Sequence, residues 1–344
     1  VLFGVRLPHS GPLASREAVV RVTRHAEALG FDSVLTHDHV NWGRDDRYHF
    51  YCGGLELADA HPRPTDFLDA FSTMAFLAGM TTRIRFVSSA VVLAWRHPLM
   101  VARLALTLHH LSGRRFVLGV CVGNVPRDFQ VLGVDWDRRA AIAEEHLKAL
   151  VAALREDGPV SFEGTFVRYE GAEMFPKVPD LPIWYGGTSP RGLVRAALFS
   201  EGLIVGGTVE ELRRLRRKVM RLRETHGRQS VPFTMATLKT VSVDRDAVCA
   251  EAMARKTIEE RERAAWLRKQ RERYSERDAS LIGTPEEVVR RVYALEAAGV
   301  DYIGLGFVGA SLDGVLEHMS VFAETVMPAF APSVARGVAS REGA

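Results

Sequence analysis

Two imidazoles flank a carboxylate in the run His37-Asp38-His39. If the run ends a strand, residues 37 and 39 face one way and 38 the other. A carboxylate beside an imidazole suits general acid–base work, because it orients the ring and tunes its proton. An Asp/His pair that merely closes a loop is spelled with the same residues. His37 and His39 supply two nitrogen ligands, but no spacing supplies a third, so no metal is expected. A second run is Gly186-Gly187-Thr188-Ser189-Pro190-Arg191. A glycine pair and hydroxyls leading into a helix present N–H groups at the positive end of the helix dipole, which makes a phosphate cradle. Arg191 adds a charged donor. Helix capping by Thr188 or Ser189 is the competing reading, and the Gly-x-x-x-x-Gly-Lys spacing of a phosphate-binding P-loop is missing. Cys121 reads as a small buried hydrophobe more readily than as a nucleophile. Gly119 and Gly123 signal close backbone approach by a ligand or a neighbour.

These residues need a scaffold that gathers them, and the chain alternates strand with helix. Short apolar runs at 2–7, 31–36, 84–93, 115–122, 182–186, 202–206, 232–243 and 302–307 read as strands. Helical stripes lie between them, at 16–29, 66–80, 98–111, 138–156, from Pro190, 209–226 and about 245–275. Two more follow, one from Thr284 and one at 311–327, and a small hairpin is expected at 159–170. Pro98 suits a first helical turn, and Thr284-Pro285-Glu286-Glu287 combines an N-cap, a first-turn Pro and a capping-box Glu. Continuous apolar strands imply a parallel sheet covered on both faces. Eight strand–helix units favour an α/β fold of the closed (β/α)8 TIM-barrel kind with insertions, over an open doubly wound sheet. The expectation is a single domain over 1–330, with 331–344 a flexible C-terminal tail. In such a barrel the chemistry sits at the C-terminal strand ends. Those ends carry His9, His37-Asp38-His39, Ser89-Ala90, His97, Cys121, Gly123-Asn124 and the Gly186–Arg191 run. The stretch 41–65 exceeds ordinary loop lengths and is a candidate substrate lid, with Trp42 as an aromatic wall and His49, Tyr51 and His61 along it.

Composition narrows the class. The 344 residues are 47% hydrophobic and 25% charged, which excludes wholesale disorder. No apolar run reaches the roughly 18 residues that span a bilayer, and the opening residues do not read as a signal peptide. Three scattered cysteines make no disulfide framework, so a reducing cytoplasm is expected. The formal charge of +3 hides a basic helix: residues 209–228 carry eight Arg or Lys against three Glu. A solvated face is its plain reading; an anionic ligand tail is the alternative, and nucleic acid lacks any accompanying motif.

The ordered set of these segments resembles the bacterial luciferase-like superfamily of flavin and deazaflavin enzymes. The resemblance is carried by Gly30-Phe31-Asp32-Ser33-Val34 with Asp38-His39, and by Arg83-Ile84-Arg85 leading to Val91-Val92-Leu93 and His97-Pro98. Leu111-Ser112-Gly113-Arg114-Arg115-Phe116-Val117-Leu118-Gly119-Val120 continues it, with Pro182-Ile183-Trp184-Tyr185-Gly186-Gly187 and Gly283-Thr284-Pro285-Glu286-Glu287-Val288. It covers about residues 2–328. It implies an isoalloxazine-type ring at the top of the barrel, a non-proline cis peptide at Ser89-Ala90 behind the ring, and the phosphate on Gly186, Gly187, Thr188, Ser189 and Arg191. The Asp38-His39 pair resembles the branch that uses coenzyme F-420, a deazaflavin. With 39 Arg against 6 Lys the chain looks actinobacterial, which suits that coenzyme. Cys121 instead matches luciferase-type FMN monooxygenases. Asn124 stands where some deazaflavin sugar dehydrogenases place a Glu.

The resulting expectation is an F-420-dependent hydride-transfer enzyme acting on a small organic molecule. A reduced-FMN monooxygenase using oxygen is the alternative, and a non-catalytic flavin-binding barrel is a third reading. His39 is expected as proton donor or relay and Asp38 as its orienter or a ring contact. Ser89, Ala90, Gly123 and Asn124 are expected at the cofactor, and His9, Trp42 and His97 at the substrate. A homodimer is implied by the resemblance.

Overall fold

The computed structural model describes residues 1–40, 66–178, 180–263, 279–309 and 311–330. In chain order the strands are β1 (Leu2–Arg6), β2 (Ser33–Thr36), β3 (Arg85–Ser88), β4 (Val91–Val92), β5 (Phe116–Cys121), β6 (Val160–Glu163), β7 (Arg168–Ala172), β8 (Ile183–Gly186), β9 (Gly202–Val205), β10 (Thr234–Val243), β11 (Leu281–Gly283) and β12 (Tyr302–Phe307). The helices are α1 (Arg16–Leu29), α2 (Ala70–Ala78), α3 (Pro98–Leu111), α4 (Pro126–Val131), α5 (Arg139–Arg155), α6 (Pro190–Phe199), α7 (Val209–Thr225), α8 (Ala247–Arg263), α9 (Pro285–Ala297) and α10 (Leu312–Thr325). Strands β1, β2, β3, β5, β8, β9, β10 and β12 pair side by side in parallel, and β12 returns to β1. The ring is the expected (β/α)8 barrel.

Alternation along each strand divides the core in two. Leu35, Val87, Val117, Trp184, Ile204, Ala236 and Tyr302 fill the barrel, while a larger cluster packs the strands' outer faces against the helices. Local signals set the helix boundaries. Ser15 caps α1 and Gly30 ends it at φ +90°. Pro98 opens α3, and Thr284 with Glu287 forms the capping box of α9.

Four expectations change. The strand expected at 84–93 breaks into β3 and β4, and β4 pairs with the far end of β5. The peptide bond between them, Ser89-Ala90, is cis. Gly119 is required there: a Cβ would lie 1.9 Å from the Ser88 carbonyl oxygen. The helix expected from residue 66 starts at Ala70, because the Asp69 carboxylate accepts the Ser72 N–H at 2.7 Å and caps it, leaving 66–68 extended. Two elements were unforeseen: α4, and β11, which extends the sheet outside the ring. The 41–65 stretch with Trp42, the end of the helix expected to 275, and the tail 331–344 lie outside the described residues.

The basic helix α7 sorts its charges by depth. Arg223 is fully buried and donates to the carbonyls of Ser200, Arg228 and Val231, at 2.6–3.1 Å. Arg216 pairs with Asp301, and Arg228, just past the helix, pairs with Glu201. Arg213, Arg214, Arg217, Lys218 and Arg221 form the exposed face. Since the helix starts at the C-terminal end of β9, its acidic first turn (Glu210, Glu211) is what lies at the barrel mouth. Among the described residues, no helix is long and apolar enough to cross a membrane, and no three His, Cys, Asp or Glu cluster as metal ligands.

Candidate active site at the barrel mouth

The parallel strands all end at one rim, and their interior-facing positions change character there. Lower in the barrel these positions are apolar, whereas one residue or turn further they are His37, Ser89, Cys121, Gly186 and Thr240. Gly186 packs against Cys121 and Ala90: a Cβ on it would come within 3.4 and 3.7 Å of their Cβ atoms. The buried hydroxyls of Ser89 and Thr240 have no hydrogen-bond partner among the described residues. Small side chains thus line the rim at β4, β5 and β8, and Ser89 and Thr240 bring hydroxyls to it from opposite sides of the ring of strands. Burial pushes the Cys121 thiol up to about 12, so it stays protonated and its Sγ–H faces the Ala90 carbonyl at 3.7 Å. A thiol so held is no nucleophile at neutral pH.

Three histidines gather on the β1–β2 side. His9 is fully buried; its Nδ1 lies 3.1 Å from the Leu7 carbonyl, and its Nε2 lies 3.0 Å from the His37 carbonyl and 3.3 Å from the His37 N–H. A neutral ring carries one N–H, so it donates to only one of these two carbonyls. Burial lowers His9 to about 4 and takes His37 well below the usual imidazole range, with the charges of His9 and Arg6 adding to the effect on His37. The Ser10 hydroxyl is 3.0 Å from His37 Nε2. Phe67 sets its ring edge-on to His9, His37 and His39, at 5.2–5.7 Å. Its place follows from the extended 66–68 segment, which bridges to Ser10.

Asp38 and His39 part company. The Asp38 carboxylate accepts both guanidinium arms of Arg96, one at 2.8 Å, and the Val92 N–H at 3.0 Å. Burial pushes its pKa up while Arg96 opposes the shift. Asp38 thus ties the end of β2 to the turn after β4. The carboxylate that meets His39 is Asp128, from α4: His39 Nδ1 lies 2.8 Å from Asp128 Oδ2. An imidazole on a buried carboxylate is an arrangement that can hold and pass a proton. Sequence reading missed Asp128, although an acidic residue in the first turn of a helix directly after a strand end was a usable signal.

The Gly186–Arg191 run leads into α6 as expected. Ser189 caps the helix, its hydroxyl accepting the Gly192 N–H at 3.0 Å, and Pro190 carries no N–H. The first turn contains no acid, and Arg191 is exposed beside it. His97 is exposed and caps α3 through Nδ1, 3.3 Å from the Leu99 N–H. Asn124 is exposed after β5. Gly123, at φ +92°, lets α4 fold back; a Cβ would come within 2.9 Å of Phe129.

The family model described as luciferase-like monooxygenase matches residues 2–302. An uncharacterized protein of Mycobacterium tuberculosis is 32% identical over 218 residues, 62% of this chain and 74% of that one. Among solved structures, monooxygenase RslO1 from Streptomyces bottropensis superposes with a TM-score of 0.78 at 23% identity, over 96% of this chain and 100% of that one. An F-420-dependent secondary alcohol dehydrogenase, solved with an F-420–acetone adduct, gives 0.77 at 20% identity over 96% and 99%. At these identities the superpositions speak for the fold alone.

Proposed function

The chain belongs to the luciferase-like family of flavin- and deazaflavin-dependent oxidoreductases, and from that premise we propose that it is a coenzyme F-420-dependent enzyme that moves hydride to or from a small organic molecule. The observation that carries this reading is the His39–Asp128 pair at the barrel mouth. When bound, the deazaflavin supplies a hydride donor or acceptor. The protein's share is to hold the substrate carbon in place and to give or take the accompanying proton at a neighbouring oxygen. His39 is the proposed proton carrier. Gly186, Cys121 and Ala90 form the small-residue surface against which the ring would lie, and Ser89 offers its unanswered hydroxyl. The Gly186–Arg191 loop would hold the phosphate. Asp38 contributes by fixing the β2 end and Arg96. His9 and His37, kept neutral by burial, suit contacts to an uncharged carbonyl or hydroxyl. Trp42, His97, Gly123 and Asn124 remain proposed contacts around this centre. A cytoplasmic homodimer without nucleic-acid or membrane partners completes the proposal.

The second reading, a reduced-FMN monooxygenase, has its own support in the family's description and in the fold shared with RslO1. Titration of the purified protein with F-420 and with FMN separates the two. Tighter F-420 binding is expected, with substrate-dependent change in deazaflavin absorbance. Tighter FMN binding together with substrate-dependent oxygen uptake overturns the proposal. Binding of either without turnover on any donor favours a non-catalytic barrel.

A further inference from the structure

We infer that Asp128 is a positioning residue that pins a proton of His39 on Nδ1, so that Nε2 is the nitrogen at which the ring gains or loses a proton. The inference rests on the proton role proposed above for His39, and it names the group that gives the ring that role.

Asp128 is fully buried, and both its oxygens are directed to the β2 end: Oδ2 to His39 Nδ1 at 2.8 Å, Oδ1 to the Val40 N–H at 3.4 Å. A carboxylate only accepts, so the ring nitrogen facing it carries the proton. The short helix that holds Asp128 is fastened independently. Its next residue, Phe129, is buried between Trp95 and Trp136, each with ring centroids 5.1 Å away. Gly123 supplies the left-handed turn that lets this helix return under β2. The carboxylate is therefore preorganised by packing that does not involve the histidine.

The neighbouring imidazoles are held differently. His9 meets the backbone of Leu7 and His37 and lies edge-on to His37, while His37 meets the Ser10 hydroxyl. Asp38 is adjacent to His39 in sequence, but Arg96 and Val92 hold its carboxylate. The buried carboxylate on the His39 ring is therefore Asp128's, brought from another element.

The test is the tautomer of His39, read from long-range proton–nitrogen NMR correlations of the full chain carrying 15N-histidine, with the signal assigned by its loss in His39→Gln. The expected pattern for the neutral ring is protonated Nδ1 and bare Nε2. In Asp128→Asn, which is nearly isosteric, the Nδ1–H signature is lost or mixes with the Nε2–H form, and Asp128→Glu restores it. A proton on Nε2 in the parent chain overturns the inference and needs no variant. So does an unchanged His39 signal in folded Asp128→Asn. The measurement uses no cofactor, so the F-420 and FMN titrations can fail while the tautomer assignment stands, and the reverse.

Discussion

Two neighbouring strands end in the same three residues, Gly186-Gly187-Thr188 after β8 and Gly206-Gly207-Thr208 after β9, and each run leads into a helix. They behave as opposites. On the second, the Thr208 hydroxyl accepts the Glu211 N–H and the Glu211 carboxylate accepts the Thr208 N–H at 3.1 Å, a complete capping box. Glu210 adds a second negative charge, and Lys239 donates to the Gly207 carbonyl at 2.6 Å. An arriving phosphate would find the helix end already answered by carboxylate. On the first, Ser189 caps with an uncharged hydroxyl, no acid follows, and Arg191 stands exposed. Loops that share three residues thus differ in whether their charge is committed inside the protein or left exposed. Committed charges should cost stability when removed, and uncommitted ones should cost affinity.

The most severe test falls on the most committed pair at the mouth. Arg96→Met strands the buried Asp38 carboxylate, and a loss of about 3–5 kcal/mol of folding stability is expected by urea denaturation. A loss under about 1 kcal/mol, the worth of an exposed pair, would mean that this pair is not committed in this sense. Acid adds a charge inside the same rim. His9 falls to about 4 in the fold, below its ordinary value of 6.5, so its contribution is fully present above pH 6.5 and is lost as pH falls through 4. That linkage amounts to about 3 kcal/mol, since every tenfold loss of proton affinity on folding is worth about 1.4 kcal/mol. His9→Gln should flatten the stability profile across this window. Arg191→Glu gives the first loop the charge of the second. The Kd for a phosphate-bearing cofactor should rise about 10- to 100-fold, the worth of a charged hydrogen bond, while the denaturation midpoint holds. An unchanged Kd would place the phosphate elsewhere. The smallest effect belongs to Thr208→Ala, which should cost about 1 kcal/mol of stability with no change in cofactor affinity.

Much of this arrangement was legible beforehand because it is local. Strand–helix alternation, the Pro98 and Thr284 helix starts, the close approach at Gly119 and the cap at Ser189 each depend on a few adjacent residues. What escaped was the traffic between distant segments. Phe67 was expected inside a helix, but the cap at Asp69 released it to meet three histidines. Asp38 was expected to orient the adjacent His39 or to contact the ring, and the first of these does not hold, since Arg96 and Val92 take its carboxylate. Along a strand, adjacent side chains point to opposite faces, so adjacency argues against contact.

The amino-acid sequence by itself determined the barrel's repeat and which residues reach its rim. Period, caps and turns are set by backbone hydrogen bonds and packing within a few residues. Only the tertiary structure decided which charge answers which. His39 and Asp128 are 89 positions apart and Asp38 and Arg96 are 58 apart. Closing the barrel brings the end of β2 against β4 on one side and α4 on the other. These pairs then form by distance and burial, to which the order of residues along the chain is indifferent.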